Sequence, residues 1–153
     1  MFCLFLSGCA MRGIGSSANR RGERLAIERG KLSETTDPVA RTKSYIVVSD
    51  LLLSFAADAA REKAPDDFRD LLIEYGRTIR TARETIVNSE RKPNGQPQGY
   101  RDLEDALRGQ VRTLQGFRIN VNPGNEEPLD QAIQLASAIR EEMMNMLSRS
   151  NNN

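Results

Sequence analysis

Residues 45–60, Tyr45-Ile46-Val47-Val48-Ser49-Asp50-Leu51-Leu52-Leu53-Ser54-Phe55-Ala56-Ala57-Asp58-Ala59-Ala60, form the longest apolar stretch of the chain, and their reading decides the fold. At about 100° per residue, Lys43, Asp50, Ser54, Asp58 and Arg61 fall in one narrow polar stripe, while Ile46, Val48, the three leucines, Phe55, Ala56 and Ala59 cover most of the remaining girth. A helix apolar over more than half its circumference has to be covered by several neighbours. This one is therefore expected at the centre of a small helical bundle. Thr36-Asp37-Pro38 supplies its start, an acceptor side chain at the N-cap and a proline at the first helical position. Ala64-Pro65-Asp66 ends it and offers a new capping acid.

Outward from this segment the apolar spacing stays helical. Phe68, Leu71, Leu72, Tyr75, Ile79, Ala82 and Ile86 recur in steps of three and four on one face. Lys92 to Gly99, rich in proline and glycine, reads as the longest internal loop. Leu103, Leu107, Val111, Leu114 and Phe117 line a third helix that stops near Ile119, before the turn signal Asn120-Val121-Asn122-Pro123-Gly124-Asn125. Leu129, Ala132, Ile133, Ala136, Ile139, Met143, Met146 and Leu147 line a fourth. The fold expected is all-α, an up-down-up-down antiparallel helical bundle over residues 37–148, with a polar tail at 149–153. No internal repeat is evident. Asn19 to Glu34 is strongly charged, with Gly22 and Gly30 as weak points, and predicts a marginal helical lead-in outside the core.

Composition narrows the function classes. The 153 residues carry a formal net charge of +1, so no global field favours nucleic acid or an acidic substrate. There is no histidine, and both cysteines, Cys3 and Cys9, fall in the first nine residues. The body therefore has no internal disulfide and cannot assemble the Glu-x-x-His di-metal site that helical bundles often host. The acid pairs Asp66/Asp67 and Glu126/Glu127 open helices, where negative charge complements the macrodipole; in the pair Glu141/Glu142 adjacent helical residues diverge. Serine has neither a histidine base nor an S-x-x-K lysine beside it. These observations point away from catalysis, metal and cofactor. Arg77, Arg80 and Arg83 step along the second bundle helix, and with Glu74 and Glu84 among them they read as a solvated face of local i,i+3 and i,i+4 ion pairs. Glu104 and Arg108 read the same way.

At the N-terminus, Leu6-Ser7-Gly8-Cys9 ends a short apolar run and resembles the lipobox of bacterial lipoproteins. In that family the chain is cut before the cysteine, whose sulfur then carries diacylglycerol. The resemblance implies that residues 1–8 are a signal-peptide remnant and that Cys9 carries the lipid. It also implies that residues 9–36 form a flexible polar tether and that the protein sits at the outer membrane facing the periplasm, with Ala10 after the cysteine favouring that sorting. The run from Phe2 to Leu6 has no basic residue before it and is shorter than signal peptides require, so a start upstream of Met1 is expected. Gly13-Ile14-Gly15-Ser16-Ser17-Ala18 matches a dinucleotide fingerprint formally, but the strand and helix that give the motif its meaning are missing. It reads as tether.

Two glycines stand out. Gly109 and Gly116 lie seven apart, opposite Leu107 and Leu114, and make a flat strip that a partner, a second copy or the 19–34 segment could approach closely. Met143, Met144 and Met146 offer an adaptable surface, although two of them belong to the core stripe. The function expected is a lipid-anchored envelope protein, a helical binding or structural module without catalysis. Its partners would be the membrane, through Cys9, and a protein or a second copy at Gly109 and Gly116. The alternative is a soluble cytoplasmic helical interaction protein.

Overall fold

The computed structural model describes residues 15–150, with side chains from residue 18 onward. Five helices follow one another: α1 (Gly15–Glu34), α2 (Pro38–Arg61), α3 (Pro65–Val87), α4 (Gln98–Phe117) and α5 (Glu126–Ser150). The all-α class and the alternating direction of successive helices agree with the sequence reading. Asp37 caps α2 as expected, its carboxylate accepting the Ala40 amide at 2.8 Å, with Pro38 next to it. At α3 the cap position is Ala64 and no side chain closes it, so Asp66 and Asp67 serve in the first turn instead. The loop before α4 is two residues shorter than expected, because Gln98 and Gly99 are already helical. At the other end, α5 runs on to Ser150 through the polar residues expected to trail off.

Helix α2 is central. It packs on α1, α3 and α4, and Val48, Leu52, Leu53 and Ala56 are buried between them. Tyr75 and Ile86 of α3, Leu107 and Leu114 of α4, and Ala136 and Met143 of α5 complete a single continuous core. Phe68 and Phe117 meet edge to face at 5.7 Å, near the end of the bundle where α3 begins and α4 stops. Met143 is fully buried, while Met144 points outward, as the stripe required.

The connection between α3 and α4 crosses the diagonal of the bundle. As a result α4 lies beside α2 and runs the same way, and α5 lies beside α3, also in the same direction. Hydrogen bonds and contacts fix this register. Val39 faces Gly99, Lys43 reaches Asp102, Asp50 meets Gln110, Pro65 accepts from Asn125, and Arg83 grips Glu142. The hydrogen-bonded pairs are 59 to 61 residues apart in sequence. Two helical hairpins, α2–α3 and α4–α5, therefore stand side by side in one orientation, repeating a geometry that has no counterpart in the residue pattern.

Helix α1 extends the chain's helical part into the segment read as tether, since it begins at Gly15 rather than near Asn19. It packs along α2 at the edge of the core: Leu25 and Leu32 are partly buried against the core, Glu28 is buried and Ile27 is exposed. Ionic contacts add to this packing. Arg21 bonds to Ser54 and Asp58 and stacks over the Phe55 ring at 5.2 Å, and Arg29 pairs with Glu74 of α3. Those fixed partners explain why a segment with so few apolar residues is a docked helix of 20 residues.

Candidate interaction surfaces

The core holds one polar cluster, at the meeting of α2, α3 and α4. The Tyr75 hydroxyl donates to Gln110 Oε1 at 3.0 Å, and Gln110 Nε2 donates to Ser49 Oγ and Asp50 Oδ1, both at 2.7 Å. Ser49 in turn donates to the Ile46 carbonyl. Burial pushes the Tyr75 phenol well above its ordinary range, so it stays a neutral donor. Desolvation also raises the Asp50 carboxyl, although the residue is exposed to solvent, which moderates the effect; the Gln110 amide and Arg24 work against the shift. The Tyr75, Gln110 and Ser49 side chains bond to one another across three helices, which fixes the register of α2, α3 and α4. Gln110 was legible as an anomaly: it lies three residues after Leu107 and four before Leu114, a polar residue on an apolar stripe.

Glu104 is a second buried polar group, 6% exposed. Burial would raise its carboxyl, but hydrogen bonds from Arg108 at 2.5 Å and Arg140 at 2.9 Å hold it below the ordinary range. The local pair with Arg108 was expected; Arg140 of α5 was not. Among the described residues no group of three metal-ligating side chains converges, and no helix is long and apolar enough to cross a membrane.

The arginine row on α3 departs from the sequence reading. Arg83 leaves its own helix to form a two-pronged bond with Glu142 of α5, at 2.8 and 2.6 Å. Glu74, expected to pair along α3, is taken by Arg29 of α1. For Arg83 and Glu74 the pairing runs between helices and ties the bundle together, while Arg69 keeps the local pairs with Asp66 and Asp70. Arg77 and Arg80 are left exposed, with no side-chain hydrogen bond or ion pair to any described residue.

Both glycines of the predicted surface face solvent. A Cβ built on Gly109 or Gly116 would meet nothing within 4 Å, so the strip is open and α1, docked on α2, does not use it. Gly116 borders a shallow hollow of about 530 Å³ with Ala57, Ala60, Phe117 and Lys63, the last with a left-handed φ of 57°. Cys9, the lipidation residue of the sequence reading, lies outside the described residues. The glycines that do admit close packing are others: a Cβ on Gly99 would press into Ile86, 2.9 Å from its Cγ1, and one on Gly76 would lie 3.3 Å from Leu135. No family model matches this chain, and no curated protein or solved structure proved similar to it.

Proposed function

We propose that the protein is a lipid-anchored helical module of the cell envelope that binds or braces a partner and performs no chemistry of its own. The observation that carries this reading is the tetrapeptide Leu6-Ser7-Gly8-Cys9, which places a lipid-accepting thiol ahead of a helical body. The body supports a binding role because its buried polar groups, Tyr75, Gln110, Ser49 and Glu104, are engaged with one another or with arginines of the chain. The open strip at Gly109 and Gly116 on α4 is the proposed contact for a protein partner or a second copy.

The test is membrane partition of the full chain, expressed in a bacterium from its own gene with the upstream sequence retained. Wild type should sediment with the outer-membrane fraction, and Cys9→Ser should move to the soluble fraction or accumulate uncleaved. Equal distribution of the two would remove the anchor and favour the cytoplasmic reading.

A further inference from the structure

Between α3 and α5 runs an open groove of about 440 Å³. Its apolar lining includes Leu72, Ile73 and Leu135, and its charged lining is Arg69, Arg77 and Arg80, with no carboxylate among them. Ile73 is 45% exposed, an isoleucine left in water beside guanidinium groups. The arginines are not equivalent. Arg69 leans on Asp66 and Asp70, at 3.2 and 3.6 Å, whereas Arg77 and Arg80 have no acid partner among the described residues. On its far side Arg77 borders a hollow containing Asp70 and Glu74. Those acids are held elsewhere, Glu74 by Arg29 and Asp70 by Arg69. Arg29 of α1 thus takes Glu74 and Arg69 of α3 takes Asp70, Glu84 forms no ion pair with any described residue, and the guanidiniums of Arg77 and Arg80 are left without a salt bridge to any described residue.

Their spacing defines what they fit. Residues three apart on a helix are neighbours, with Cβ atoms about 5–6 Å apart, so Arg77 and Arg80 can close on a single carboxylate or phosphate. The groove beside them is open and partly apolar, and at its floor α3 and α5 come close together at Gly76, where an added Cβ would lie 3.3 Å from Leu135. An apolar chain can lie along Ile73 and Leu135 while its anionic head reaches the two guanidiniums. We propose that this groove binds an amphiphilic anion, its carboxylate or phosphate head held by Arg77 and Arg80 and its apolar chain laid against Ile73 and Leu135. The inference rests on neither Cys9 nor the glycine strip, so it can stand or fall apart from the proposed function. The same head-and-chain chemistry occurs in free fatty acids and in anionic lipids of a bilayer, and the experiment separates the two sources.

The full chain, carrying Cys9→Ser so that no acyl group is attached, is titrated with decanoate below its micellar concentration and followed by amide chemical shifts. Inorganic phosphate, decanol and decyltrimethylammonium are titrated in parallel, and flotation with phosphatidylglycerol vesicles is run beside them. Saturable decanoate binding with shifts at Ile73, Arg77, Arg80 and Leu135, at least about tenfold weaker in Arg77→Gln/Arg80→Gln, is the expected result for a free acid, since a charged hydrogen bond is worth that much. Flotation lost in the same double variant, without decanoate binding, identifies a bilayer lipid as the source. Neither arginine supports the fold, so the double variant should melt like the parent. Ile73→Ser keeps both arginines and should weaken decanoate but not phosphate. Decanoate binding equal in parent and double variant, equal affinity for decyltrimethylammonium, or absence of both decanoate binding and flotation overturns the proposal.

Discussion

Gly99, Gly109 and Gly116 share one helix and carry opposite expectations. At Gly109 and Gly116 a methyl group meets open space, so alanine there should stabilise the protein by up to about 1 kcal/mol each through helix propensity. At Gly99 the methyl would be driven into Ile86, which is fully buried and has nowhere to move. Overpacking costs about 1–3 kcal/mol, enough to outweigh the propensity gain. Urea midpoints should therefore rise for Gly109→Ala/Gly116→Ala and fall for Gly99→Ala. A rise for Gly99→Ala would show that the start of α4 moves freely against α3. The glycine spacing in the sequence singled out the exposed pair correctly as off the core. It missed Gly99, because Pro93, Gly95 and Pro97 ahead of it made that residue look like loop, and close approach between helices leaves no mark on residue spacing.

At the scale of one element, α1 differs in kind from the other four helices. Its partners on α2 and α3 are held through Arg21 and Arg29, and its leucines are only partly covered. Exposed ion pairs are weak individually and are screened by salt, with a Debye length of about 3 Å at 1 M. Amide exchange should therefore be faster in α1 than in α2, and high salt should speed α1 several-fold while leaving α3 unchanged. Equal protection of α1 and α2 would mean that Leu25 and Leu32 dominate its docking. This helix was the least legible in the sequence, since what holds it is tertiary and its own composition predicts marginal stability. By contrast α2 was legible three times over, from its cap, its apolar girth and its proline stop. The polar cluster was only half visible: Gln110 interrupts a stripe, but nothing local names Tyr75, Ser49 and Asp50 as its partners.

Across the whole molecule, acid should loosen the bundle from the joints between helices. Glu142, held low by the Arg83 hydrogen bonds, links α3 to α5; Glu104, whose burial is outweighed by Arg108 and Arg140, links α4 to α5. Both carboxyls titrate below their ordinary 4.5 when folded, so their contribution is present above that value and is lost as pH falls through the depressed one. Asp50 has the opposite sign. Its raised carboxyl takes up a proton more readily in the folded chain, so stability recovers slightly as pH approaches 3.8 from above. Urea midpoints should hold or rise a little first, then drop below about pH 4, and Glu104→Gln with Glu142→Gln should flatten that drop while lowering the midpoint at pH 7. An unchanged acid limb in the double variant would place the acid-sensitive groups elsewhere. The side-by-side hairpins, in register near a 60-residue offset, carry one more consequence. Bodies related by a sideways shift have a leading and a trailing flank that differ, as tiles in a row do, and geometry alone would let another tile follow. The row stops for a chemical reason: the side of α4 turned away from α2 shows Arg101, Asp105, Arg108 and Arg112 to water. Were those four leucines, the flank would invite the leading edge of the next molecule, and since unlike flanks join head to tail, the product would be a filament with no built-in length.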